Sequence, residues 1–245
     1  MFKDRGNPCG LFNASHIIVM IICLLLVSFL LYISRNLNKD KIKKISKISI
    51  IIITILELIK ISYNFIYGYY SLTYWAPISY CAIFILAMYF AAFGNEKLSL
   101  IGSSFISCAF LPGLLFIIFP LTSLTEVPIY HYLAIYSFIY HSAMLYFGIL
   151  YTLKVIERVN NMTFIYHGIL VCFFFFIATL LNSLFDLNLM FVTDVVNIPL
   201  DFVYKFLISI KGLYTPLIVL IHLFFPYLFA YLLSSIKNKR TSYLK

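Results

Sequence analysis

Seven long apolar runs leave this chain few ways to fold. They cover residues 15–34, 46–67, 76–93, 98–120, 128–154, 163–187 and 212–236. A helix needs about 20 mostly apolar residues to cross a hydrocarbon layer about 30 Å thick. Inside that layer every backbone N–H and C=O must be satisfied within the protein, which favours helices. The expected fold is therefore all-α: a polytopic membrane bundle of seven transmembrane helices forming one domain over residues 1–245. Composition agrees, since 11% of residues are charged, against about 25% in a soluble domain. The first run is too long for a signal peptide and lacks a small-x-small exit, so it reads as a retained helix.

Between the runs lie the breakers and charges. "RNLNKDKIKK" follows the first, and "YGYYSLTYWAP" follows the second, with tyrosines and Trp75 suited to a membrane–water interface. The long connection at 188–211 carries an apolar amphipathic stretch from Pro199 to Ile210, which reads as a surface or re-entrant helix. If the N-terminus lies outside, the inner side holds thirteen Lys and Arg: six in 35–47, then Lys97, Lys154, Arg158 and four beyond residue 236. The outer side holds four, Lys3, Arg5, Lys205 and Lys211. The positive-inside bias thus predicts N-out and C-in.

The formal net charge of +9 follows from these flanks and from contact with anionic lipid. No separate basic domain exists to bind nucleic acid. Of the five cysteines, Cys23, Cys81, Cys108 and Cys172 fall inside apolar runs, and only Cys9 lies outside. No C-x-x-C or His/Cys cluster has zinc spacing, so neither a disulfide framework nor a metal site is expected, and no cofactor is called for.

Counting from the inner end of each run at about 1.5 Å per residue places several polar or reactive side chains in one layer. Cys81 comes at roughly 24 Å, His141 and Lys60 at roughly 20 Å, His222 at roughly 22 Å, and His16 and Asn182 at roughly 28 Å. Polar groups in hydrocarbon are costly and face a bundle interior or a wet cavity. For most of them packing suffices. His167 and His222 read as histidines hydrogen-bonded to neighbouring helices. Glu57 and Lys60, three apart on one helical face, read as a neutralising pair. Cys81 and His141 differ because they make a chemical pair. A thiol in apolar surroundings is inert, but a histidine within hydrogen-bonding reach can take its proton and leave a nucleophilic thiolate.

Several stretches resemble one family. "FNASH" is similar to an N-terminal stretch ending in histidine, here His16. "APISYC" resembles a Pro-x-x-x-Cys entry to the third span, here Pro77 and Cys81. "VPIYHYLAIYSFIYH" resembles paired histidines ten apart, here His131 and His141. "LNSLFDLNLMF" resembles the segment after the sixth span, with Asn182, Asn188 and Met190. In order and spacing these resemble the YwaF-type bacterial integral membrane family, related to the vertebrate TMEM-type Cys-dependent ether-phospholipid acyltransferases. Two positions depart from that pattern: Ser79 stands where a histidine is common, and "VTDVVNIP" replaces a basic, proline-containing stretch.

The resemblance implies a membrane-embedded lipid acyltransferase, with phospholipid and lysophospholipid substrates, in a bacterial cell membrane. Cys81 is the expected nucleophile and His141 the general base. Asn182, His131 and His16 are candidates to bind the oxyanion or orient His141. Two other readings stay open from the residues alone. One is a small-solute transporter or permease using Glu57 and Lys60. The other is a non-catalytic membrane binding or assembly factor.

Overall fold

The computed structural model describes residues 7–121, 123–195 and 201–243. Ten α-helices follow in order: α1 (Ala14–Ile33), α2 (Lys39–Ile66), α3 (Leu72–Trp75), α4 (Ile83–Phe93), α5 (Glu96–Cys108), α6 (Phe110–Ile118), α7 (Tyr132–Leu150), α8 (Asn161–Phe185), α9 (Asp201–Ser209) and α10 (Lys211–Tyr243). No strand occurs among the described residues. Among the described residues five helical segments are long and apolar enough to cross a membrane: Ala14–Asn36, Glu96–Ile118, Tyr132–Val155, Asn161–Phe185 and Gly212–Lys237. Of the amphipathic stretch expected from Pro199, the first two residues lie outside the described ones, and α9 forms most of the rest.

Asparagine starts four of the long helices. Asn13 accepts from the His16 amide, Asn38 from Lys41 and Asn95 from Leu98. Asn160 forms a reciprocal capping box with Thr163. Each side chain satisfies an amide that the helix itself leaves without a partner. Asp40 and Glu96 add negative charge to the first turns of α2 and α5, where the helix dipole favours it.

Two apolar runs depart from simple helices. The third was expected to be helical from residue 76, but α4 begins at Ile83. Pro77 holds Ala76 extended at φ −71°, ψ 127°, as a residue before proline prefers. Ser79 Oγ then accepts the Ala82 amide at 3.1 Å, so residues 76–82 are a loop leading into α4. The fourth run is divided at Ala109 into α5 and α6. Pro112 has no amide to offer the Cys108 carbonyl, and its ring crowds that carbonyl.

Small residues let the inner helices touch. A Cβ on Gly102 of α5 would come within 2.6 Å of the Ala91 amide nitrogen of α4. On Gly113 of α6 it would meet the Leu145 nitrogen at 2.7 Å and the His141 carbonyl at 2.8 Å, both on α7. On Gly148 of α7 it would sit 2.7 Å from Cα of Phe110. In lipid, helix association draws on such close backbone packing rather than on a hydrophobic drive. Hydroxyl pairs add cross-links: Ser34–Tyr146 at 2.6 Å, Ser46–Tyr151 at 2.9 Å and Thr54–Tyr89 at 2.9 Å. Gly148→Ala is expected to destabilise by about 1–3 kcal/mol through overpacking, read as a lower thermal midpoint in detergent. Gly212→Ala, where nothing lies within 4 Å, should be neutral or slightly stabilising.

Candidate active site

The loop 76–82 presents Cys81 to α7, where His141 sits in the tenth helical position. The Cys81 Sγ lies 3.3 Å from His141 Nε2. On the other side of the ring, His141 Nδ1 lies 2.7 Å from the Ser137 carbonyl, one turn earlier on α7. A carbonyl only accepts, so Nδ1 carries the proton of the neutral ring. Nε2 therefore offers its lone pair to the thiol, which donates to it. The second nitrogen's bond thus selects the tautomer a base requires.

Packing holds the ring in that place. Phe116 of α6 stacks on His141 with centroids 3.5 Å apart and planes at 6°. That approach depends on Gly113, which lets α6 lie against the His141 carbonyl. Tyr140 meets the imidazole edge-on at 5.3 Å. His141 is buried, while Cys81 remains half-buried and partly accessible.

A tyrosine ladder supports the cysteine loop. Tyr132, Tyr136 and Tyr140 recur every four residues on one face of α7. The Tyr132 hydroxyl donates to the Leu56 carbonyl of α2 at 2.9 Å. Tyr136 donates to the Glu57 carboxylate, which is also paired with Lys60 at 2.6 Å. Tyr140 donates to the Cys81 carbonyl at 2.7 Å, and that carbonyl also accepts the Phe84 amide of α4 at 2.9 Å. The four-residue spacing was the signal for the ladder, but the partners of the hydroxyls lie on α2 and on the loop before α4.

The other three candidates are built into separate contacts. His16 accepts the Phe12 amide on Nδ1 at 3.0 Å and donates from Nε2 to the Ile117 carbonyl at 3.2 Å. His131 caps α7, accepting the Leu133 amide on Nδ1, and its Nε2 meets the Tyr63 hydroxyl at 3.1 Å. Asn182 binds the 189–193 turn, donating to Leu189 O and Thr193 Oγ1 and accepting the Leu189 amide. The group that orients His141 is therefore the Ser137 carbonyl, not Asn182, His131 or His16. Their donors point into bonds that hold the N-terminal stretch, the start of α7 and the end of α8. Beside the sulfur, the Cys81 amide has no acceptor among the described residues.

The buried His167 and the half-buried His222 form a second group. His167 Nε2 donates to the His222 carbonyl at 3.3 Å, and His222 Nδ1 donates to the Ile218 carbonyl at 2.7 Å. All five cysteines are free thiols. Among the described residues no three His, Cys, Asp or Glu side chains converge as a metal ion requires.

Compared with known proteins, the chain matches no protein-family model, no curated protein and no solved structure. The geometry of the Cys81–His141 pair therefore stands by itself. It makes a direct prediction about reactivity. His141→Ala is expected to slow alkylation of Cys81 near neutral pH by roughly 10-fold or more, because the thiol loses its proton acceptor. The exposed Cys172 should react at an unchanged rate. Peptide mass mapping after a timed pulse of a membrane-permeant maleimide reads both sites in one sample.

Proposed function

We propose that the chain is a seven-span membrane protein, N-terminus outside and C-terminus inside, that transfers acyl groups between lipids through a thioester on Cys81. Besides the five long apolar helices, α2 has 28 residues, enough to cross the bilayer. In this reading the seventh crossing is α4 together with loop 76–82. Irregular backbone at membrane depth is tolerated where protein surrounds it or a cavity adjoins it. Sidedness is supported by contacts that join basic segments at one end of the bundle. Lys39 lies 3.9 Å from Glu157, and Lys237 donates to the carbonyls of Ile156 and Glu157 at 3.2 and 3.3 Å. Under this topology a cysteine introduced at Lys41 in a cysteine-free background stays unlabelled by an impermeant maleimide until cells are opened. Labelling in intact cells would reverse the orientation.

The observation that carries the catalytic reading is the 3.3 Å contact between Cys81 Sγ and His141 Nε2, with the ring proton held on the opposite nitrogen. In the first half-reaction Nε2 takes the thiol proton, and sulfur attacks the carbonyl carbon of a phospholipid ester. The new C–S bond replaces the ester C–O bond. The departing lysolipid alkoxide takes the proton from Nε2. In the second half-reaction a lysolipid hydroxyl gives its proton to Nε2, and its oxygen attacks the thioester. The C–S bond breaks, and sulfur recovers the proton. The Cys81 amide, next to the sulfur and without an acceptor among the described residues, serves in this reading as a donor to the tetrahedral oxyanion.

Transfer from a labelled phospholipid to a lysolipid should fall to background in Cys81→Ser. In His141→Ala it should fall by about 10²–10⁴-fold, the usual contribution of a general base. Intact-protein mass spectrometry should find an acyl adduct on the wild type that hydroxylamine removes. The adduct should be missing from both variants. Full transfer by Cys81→Ser would overturn the reading.

A further inference from the structure

A cavity of about 790 Å³ lies between α1, α2 and α7, and His141 is not among its lining residues. Leu26 and Leu30 of α1, Ile45 and Ile52 of α2, and Ile135 and Phe138 of α7 are among its lining residues. Among the described residues no charged side chain lines it. Its volume falls within the roughly 300–1,000 Å³ of small-molecule sites. Lining residues on α1 run from Val19 to Ile33, so it extends about 20 Å along the helix at about 1.5 Å per residue. It is a long slot rather than a pit, and α1 covers little of itself, burying only His16, Cys23 and Val27.

One end of the slot is strongly basic. Ser34, Leu37 and Ile45 line that end. Residues 35–47 around them hold six Lys and Arg and one Asp, a net charge of 6 − 1 = +5. Lys41 lies one turn before Ile45, on the same face of α2. It is exposed, and no acidic side chain pairs with it among the described residues. Arg35 lies at the end of α1 with its guanidinium 4.1 Å above the Tyr32 ring.

We propose that this cavity binds one phospholipid with an anionic headgroup, an acyl chain in the α1–α2–α7 slot and the phosphate between Arg35 and Lys41. An uncharged slot with one cationic end matches such a molecule in both length and charge. The site is separate from Cys81, which does not line the cavity. The inference rests on the membrane-spanning reading of the chain and not on acyl transfer. The bound lipid completes the wall between α1 and α2 rather than reacting.

The test uses the full-length protein in bilayers containing a phosphatidylglycerol with a diazirine in its acyl chain. After illumination, adducts should concentrate on the α1, α2 and α7 residues that line the slot. Adducts spread evenly over the exposed faces of α8 and α10 would overturn the proposal. Native mass spectrometry of protein released from mixed vesicles should show one retained lipid, with phosphatidylglycerol preferred over phosphatidylcholine by about tenfold, from two cationic contacts. The double variant Arg35→Gln, Lys41→Gln should lose that preference. Ala143→Phe, which fills the slot from α7, should lose the lipid while eluting as a folded monodisperse species. If it keeps the lipid, the site is elsewhere. Cys81→Ser should retain the lipid whether or not acyl transfer is correct, which separates failure of one idea from failure of the other.

Discussion

The close contact of α6 with α7 is the constraint on which the candidate site depends. Gly113 lies against the backbone at His141 and Leu145, and Gly148 lies against Phe110. Without that approach Phe116 could not lie flat on the imidazole at 3.5 Å. Pro112 ends the line of α5 and lets α6 take its own course beside α7. One proline and two glycines within two apolar runs thus set the wall behind the histidine. Hydrophobicity gives no such specificity in lipid, because an apolar side chain is as well solvated by acyl chains as by protein.

Against that wall, a few polar atoms are placed where little water competes with them. The Ser137 carbonyl sets the tautomer of His141. Tyr140 holds the Cys81 carbonyl, and Tyr136 and Glu57 extend the same ladder to α2. The tyrosine bonds join α7 to α2 and to the cysteine loop. In a medium of low dielectric such networks are strong when every member is satisfied. The same geometry bears on the choice between enzyme and transporter. Glu57 is bonded to both Lys60 and Tyr136, so this pair of charges has a structural use in the ladder.

Much of the architecture was legible in the sequence, because a membrane span is a local property. Length and apolarity alone pointed to α1, α8 and α10, but not to the start of α2, which begins at Lys39 behind the Asn38 cap rather than at residue 46. The late start of α4 was harder to read. Residues 76–82 are as apolar as a helix, and the loop there arises from Pro77 acting together with the Ser79 cap and the Tyr140 bond to Cys81. Depth counting brought Cys81 and His141 into one layer. It brought Asn182 and His16 there as well, since depth ignores which way a side chain faces around the bundle.

The sequence by itself determined an all-helical chain with long apolar helices, the basic character of one set of connections, and a thiol and an imidazole at similar heights. Those follow from composition and spacing along the chain. Tertiary structure alone decided which polar groups meet. It matched His141 with Cys81 at 3.3 Å. It gave His16 and Asn182 to backbone partners in other segments and His131 to the start of its own helix and Tyr63. The physical reason is rotational. A helix presents a new face every residue, and which face meets which neighbour depends on glycine contacts and hydroxyl bonds between runs far apart in sequence.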